Sequence, residues 1–300
     1  MRLPIQIKGI SDAHCWTGYV ATSGEAPIWD ARREKILWVD IRGCAVLEGD
    51  WREGTIRVLP VPDLPAFVAP AHDGSLIVGG RAGIVRVDRD TGTVEPVSAP
   101  AELVPDFRFN DGAIDPKGRL VIGSTALDAD AAPSEGALYV LDGAEWRVLF
   151  HGLGIVNGLA FAPDGRTMFV SDSQADRARI FAFDYDPEAA AVSAGRSIAD
   201  FRANGWAGLP DGAAIDADGG YWIAALGGGA LLRLNPDGTL DRRIDLPFAK
   251  VSKVAFVGPE LDRMAVTSFA APASAGEIQS GMLLTFDAGA KGAPCRPLSL

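Results

Sequence analysis

The stretch NGLAFAPDGRTMFVSD (157–172) decides the fold. An apolar patch at Leu159–Phe161 runs into Pro163-Asp164-Gly165, and a second apolar run at Met168–Val170 follows. Proline presets a turn angle, aspartate caps turn amides and glycine supplies a left-handed residue, so the segment reads as strand, turn, strand. Five more segments share this shape: APIWDARREKILWVD (26–40), AFVAPAHDGSLIVGG (66–80), DGAIDPKGRLVIGS (111–124), DGAAIDADGGYWIAA (211–225) and KVAFVGPELDRMAVTS (253–268). Their starts lie roughly 40–55 residues apart, the length of one four-stranded propeller blade. Between them, VLEGDWREGTIRVLP, IVRVDRDTGTVEPV and LLRLNPDGTLDRRIDLP read as further strand pairs.

Six such units predict an all-β fold, a six-bladed β-propeller with four-stranded antiparallel blades around a central channel, filling residues 1–300 as a single domain. Several strands are nearly all apolar, as expected of sheets packed on both faces. The N-terminal strand near Pro4–Ile10 is expected to close the last blade beside Met282–Phe286. The competing arrangement, two β-sandwich domains, calls for a linker or composition break, and none divides the chain.

Composition agrees. The chain has 300 residues with 35 glycines and 20 prolines, which suits short elements separated by turns. A hydrophobic content of 48% against 22% charged residues supports a large core and argues against disorder. The net charge of −11 argues against a nucleic-acid partner, which requires a basic face. No apolar run approaches the roughly 20 residues that span a bilayer, so no membrane partner is expected. The start MRLPIQIKGISDAHC lacks the basic and apolar stretches of a secretory leader, and a cytoplasmic location is the expectation. Three scattered cysteines give neither a disulfide framework nor a zinc knuckle. No H-E-x-x-H, G-x-S-x-G or Walker motif occurs, and Gly152-Leu153-Gly154 reaches Asn157 where a dinucleotide fingerprint needs its third glycine.

Polar residues stand just before the apolar patches: Glu25, Asn110 with Asp111, Asn157 and Asp211. Taken singly, Asn-Gly and Asp-Gly are turn formers. Repeated at equivalent places in four units, they point to one end of the channel. Carboxylates and amide oxygens are hard donors that suit Ca²⁺, Mg²⁺ or Mn²⁺, and zinc or iron accept them too. Trp16, Tyr19 and Trp206 are candidates for an aromatic wall, and Lys253 opens the sixth repeat at a channel-end position. Trp29, Trp38 and Trp222 fall inside strand patterns and read as core.

The motifs GEAPIWD, RFNDGAIDPKGRLVIGS, GALYVLDG, NGLAFAPDGRTMFVSDS, PDGAAIDADGGYWIA and GPELDRMAVTS span about residues 24–270 in order. In them the chain strongly resembles the gluconolactonase/regucalcin family of six-bladed propellers. The resemblance implies one divalent cation at the channel mouth, held by Glu25, Asn157 and Asp211. It places Asn110 beside metal and substrate, and Arg108 on substrate oxygens. Asp128 stands where some members carry a substrate-contacting Glu, and the shorter acid suggests a different or larger ligand. The alternative is a solvated loop acid. The loop Leu127–Glu135, rich in Ala and Asp, reads as mobile.

The activity implied is hydrolysis of a sugar lactone to an aldonic acid, with Asp211 as general base and metal ligand. The cation expected first is Ca²⁺, with Zn²⁺, Mg²⁺, Mn²⁺ and Fe²⁺ left open. Competing readings are a cation-binding regulatory protein without turnover, a propeller esterase or lactonase for non-sugar esters, and a peptide-binding propeller. A monomer is the expectation for a closed ring of this size.

Overall fold

The structure, a computed structural model, describes residues 1–101, 103, 106–128, 135–272 and 279–300. It contains six antiparallel sheets, five of four strands and one of five, and no helix among the described residues. Each sheet is one blade. The six repeats read from the sequence are the first two strands of the six blades. The inner strands are Gly24–Asp30, Phe67–Pro70, Phe107–Ile114, Val156–Phe161, Leu209–Ile215 and Val251–Val257, in blades 1 to 6. They neighbour one another around the axis.

Apolar content follows from this geometry. Six buried clusters lie at the six blade interfaces. Between blades 4 and 5, Phe169 packs on Tyr221 with ring centroids 5.0 Å apart, alongside Ile180, Ile223 and Leu232. Between blades 5 and 6, Trp222 meets Phe256 edge-on at 6.4 Å. A blade sheet therefore buries both faces, which is why strands such as Tyr221–Leu226 show no clean alternation. Burying one such large side chain contributes roughly 1.5–3 kcal/mol.

The blade is closed by the N-terminus, but one strand later than the sequence suggests. Ile10–Trp16 pairs with Leu283–Asp287, from Ser11 opposite Asp287 to Trp16 opposite Leu283. The segment around Pro4 folds back as a fifth, outer strand, Arg2–Ile7. Gly9 at φ +76° makes the turn between them. Burial explains the order: Ala13, Cys15 and Trp16 are buried, whereas Arg2–Ile7 is largely exposed on its outer side.

One end of the channel carries the tight inner turns. The other, the mouth, carries the loops that enter each inner strand. The C-terminal tail runs across the inner-turn end. Lys291 O accepts from Ala217 N, Gly292 N donates to Leu261 O, and Ser299 N donates to Gly118 O, each at 2.8 Å. Leu298 bridges to Ala71 and is fully buried.

Candidate active site

Five of the six inner strands break register near the mouth. The shift falls between Glu25 and Ile28, Phe109 and Gly112, Asn157 and Ala160, Pro210 and Ala213, and Val251 and Val254. An extra residue in an antiparallel strand kinks it and re-aims side chains. The inner strand of blade 2 has no such shift. Counting back five residues from the start of each inner turn gives a ring of Glu25, Ala66, Asn110, Asn157, Asp211 and Lys253. The unbulged blade supplies the apolar member, and the bulged blades supply the polar ones.

The ring is buried and cross-linked. Glu25, Asn157, Asp211 and Lys253 are 8%, 6%, 4% and 6% exposed. Asn110 Nδ2 donates to Asn157 Oδ1 and to Val156 O, both at 3.0 Å. Asn157 Nδ2 donates to Ser173 Oγ at 2.8 Å, and that hydroxyl donates to Pro210 O at 2.5 Å, beside Asp211. Ser252 Oγ donates to Gly24 O at 2.6 Å, joining blade 6 to the strand of Glu25. Asp111 ion-pairs with Lys253 across the channel. Arg108, half-buried, donates from Nη1 to Phe109 O at 2.9 Å.

Aspartates at the ends of the second strands shape the mouth loops. Asp40 accepts from Thr22 N at 2.8 Å, Ser23 N at 2.9 Å and Gly43 N at 3.0 Å. Asp172 accepts from Gly154 N at 2.9 Å, Gln174 N at 3.0 Å and Ile155 N at 3.1 Å. These loops lead directly into Glu25 and Asn157.

Electrostatics set this cluster apart. Burial pushes Glu25 up to about 7, and Asp111 adds to the rise, while Lys253 and Arg108 offset part of it. Burial also lifts Asp211 well above the usual carboxylate range, reinforced by Glu25 and Asp111. Burial lowers Arg108 to about 10 and Arg42 contributes, against the pull of Glu25 and Asp211. Asp211 Oδ2 is buried with no hydrogen-bond partner among the described residues. An uncompensated buried carboxylate oxygen is costly. A cation held by Glu25, Asn157 and Asp211 would remove that cost, and the oxygen donors suit a hard divalent ion. Among the described residues no three His, Cys, Asp or Glu side chains form a metal-binding group, so the set reaches three only with the Asn157 amide.

The structure thus brings Glu25, Arg108, Asn110, Asn157 and Asp211 to one mouth. Asp128 lies apart from the buried cluster, exposed in the turn after Leu120–Ala126. Residues 129–134 of the loop read as mobile lie outside the described residues. Of the three candidates for an aromatic wall, Trp16 drops out. Trp16 is fully buried and donates from Nε1 to Thr285 Oγ1 at 3.1 Å, so it belongs to the core. Tyr19 is tied to Asp40 at 3.2 Å, and half-buried Trp206 packs edge-on to Phe201. Trp38 and Trp222 are core residues. Sequence reasoning missed the pairing of Asp111 with Lys253, the anchoring of Asn157 by Ser173, and the loop-shaping role of Asp40. Only a search for polar residues at the ends of the second strands could have signalled the last two.

Comparison with known proteins follows the same lines. Residues 23–270 match the family model described as SMP-30/Gluconolactonase/LRE-like region. A 6-deoxy-6-sulfogluconolactonase from Pseudomonas putida is 33% identical over 257 residues, covering 85% of this chain and 86% of its own. A pentonolactonase from Haloferax volcanii is 32% identical over 284 residues, covering 90% and 92%. Among solved structures, a calcium-binding regucalcin from Agrobacterium tumefaciens superposes with a TM-score of 0.84 at 25% identity, covering 95% of this chain and 96% of that one.

Proposed function

This chain belongs to the SMP-30/gluconolactonase/LRE-like family, and we propose that it hydrolyses a sugar lactone to the aldonic acid with one divalent cation at the channel mouth. The observation that carries the reading is the partnerless, buried Oδ2 of Asp211 in a ring with Glu25 and Asn157. The lactonase names of the relatives support the substrate class. The calcium-binding relative supports a divalent ion, with Ca²⁺ first and Zn²⁺, Mg²⁺, Mn²⁺ or Fe²⁺ as alternatives. Substrate is a small molecule, and the 1–300 chain acts as one monomeric domain in the cytoplasm.

Glu25, Asn157 and Asp211 would hold the ion. When bound, it supplies Lewis-acid polarisation of the lactone carbonyl and lowers the pKa of a water. The Asp211 carboxylate, through the oxygen not given to the ion, accepts a proton as water adds to the carbonyl carbon. The ring carbon–oxygen bond then breaks, and the proton passes to the ring oxygen, leaving a hydroxy acid. Arg108 donates from its guanidinium to substrate oxygens, and Asn110 orients the carbonyl. Orientation of this kind contributes a large share of rate enhancement. Asp128 reaches substrate hydroxyls from the rim.

A panel of pentonolactones and hexonolactones tests the reading, assayed for acid release before and after chelation and re-addition of each metal. Turnover that chelator removes and metal restores is expected. No turnover on any lactone under any metal overturns the hydrolase reading. Metal binding without turnover favours a regulatory cation-binding protein, which the Asp211 oxygen supports equally well.

A further inference from the structure

Asp111 and Lys253 are 2% and 6% exposed, and the mechanism above uses neither. They come from blades 3 and 6, which face each other across a six-bladed axis. Lys253 Nζ pairs with Asp111 Oδ1 and lies 3.4 Å from Gly112 O. The Lys253 stem crosses Gly212, where an added Cβ would meet its Cβ and Cδ at 2.5 and 2.6 Å. Asp111 Oδ1 also accepts from Gly112 N at 2.8 Å, and Oδ2 accepts from Leu159 N at 2.9 Å. One ion pair therefore touches the inner strands of blades 3, 4, 5 and 6. Its contacts fall within two residues of Asn110, Asn157 and Asp211.

We propose that Lys253 and Asp111 form a cross-channel strut that holds the ring oxygens at the spacing one cation requires. They are positioning residues, and the inference rests on the metal reading above. The blade interfaces are largely apolar and non-directional, and the ring hydrogen bonds from Asn110, Ser173 and Ser252 each join adjacent blades, whereas metal–oxygen distances tolerate only about 0.2 Å of error. A directional link across the channel adds a constraint between opposite blades. Stability does not explain the pair, because a buried ion pair is often no more stabilising than an apolar replacement.

The test turns on sign. Lys253 carries a positive charge beside a cation site, so electrostatics alone predicts that Lys253→Met tightens metal binding. Loss of the strut predicts the reverse. Calorimetric titration of the metal-free full chain with Ca²⁺, Mg²⁺, Mn²⁺, Zn²⁺ and Fe²⁺ in turn is expected to show K253M weaker by about tenfold for the ion that binds. K253R, which keeps the pair, should bind within about threefold of the unaltered chain. The lactone KM of K253M at saturating metal should change less than about threefold. Equal or tighter binding by K253M overturns the proposal, as does unchanged metal affinity with a raised KM, which would make Lys253 a substrate contact. Should K253M fail to fold, the charge-balanced K253M/D111N carries the test, and unaltered metal affinity there also overturns it. If the unaltered chain binds none of these ions, the metal reading itself falls, and the strut with it.

Discussion

Asp211 and Asp216 lie five residues apart, at opposite ends of one inner strand, and both are buried, at 4% and 1% exposure. Asp216 closes its turn by accepting from Gly220 N at 2.7 Å and Asp218 N at 3.1 Å through Oδ1. Its Oδ2 accepts from Arg233 Nε at 2.7 Å and Trp222 Nε1 at 2.8 Å. Burial pushes Asp216 up, but Arg233, Trp222 and Gly220 together hold it below the ordinary carboxylate range. Asp211 has an oxygen without a partner among the described residues and is held well above that range. The same division recurs elsewhere. At the inner-turn end, Asp30 pairs with Arg89, and Asp115 with Arg119 and Tyr185. Glu25, at the mouth end of the strand that Asp30 ends, accepts one bond among the described residues, from Ala26 N at 2.9 Å. At the turn end these carboxylates are paired, although Arg89 Nη2 is buried without a partner among the described residues. At the mouth it is the carboxylates themselves that are short of partners, as in a ligand site.

Two substitutions on that strand should therefore act on different properties. Asp216→Ala strands Arg233, the Trp222 indole and two amides, and is expected to cost about 3–5 kcal/mol of stability. Denaturant unfolding measures it, with lactonase kcat on the folded fraction expected to remain near the unaltered value. Asp211→Asn should reverse the pattern. Loss of the proposed proton acceptor and ligand should lower kcat by about a hundredfold. The metal-free melting temperature should hold or rise, because an amide replaces a carboxylate that burial disfavours. If Asp211→Asn destabilises the metal-free chain as Asp216→Ala does, the contrast between the two ends fails.

The pH response sharpens the same contrast. Glu25 has its folded-state pKa raised from 4.5 to about 7. The folded metal-free chain then holds a proton there that the unfolded chain has released. Its contribution to stability is present below about 4.5 and lost as pH rises to about 7. Asp216 has the opposite sign: its contribution is present above its unfolded pKa and lost on acidification. Melting temperatures in chelator should fall between about pH 5 and 7, and Glu25→Gln should flatten that fall. A slope that Glu25→Gln leaves intact assigns it to another group.

The two ends were not equally legible in the sequence. The blades were, because each inner turn is a local affair of Asp, Pro and Gly, repeated at the spacing of a blade. Gly118 at φ +89° and Gly165 at φ +69° do what DPKGR and APDGR imply. The mouth positions were legible as a pattern because the ring keeps one offset from each turn. Their chemistry was not. Nothing local separates Asp211 from Asp216 in PDGAAID, since the difference lies in Arg233 and Trp222, brought by neighbouring strands. The Asp111–Lys253 pair joins residues 142 positions apart, beyond any local signal. The closing strand lies one strand beyond Pro4–Ile10, because nothing local in Ile10–Trp16 announces that Trp16 is buried against Thr285 and makes this strand the partner of Leu283–Asp287. Trp16 itself, near the mouth in sequence order, is core for that reason.

The smallest expected effect tests how far the unfinished layer extends. Asp128 is exposed, outside the ring, at the start of the loop after the second strand of blade 3. An exposed hydrogen bond to a substrate hydroxyl contributes about 0.5–1.5 kcal/mol, so Asp128→Asn should raise the lactone KM by about two- to tenfold. Metal affinity and melting temperature should not move, because no ring residue depends on it. A change in metal affinity would mean that the mouth loop belongs to the ring, and the boundary drawn at the bulged strands would have to shift outward. A KM that does not move leaves Asp128 a solvated loop acid and confines the proposed substrate contacts to Arg108 and Asn110, on the buried side of that boundary.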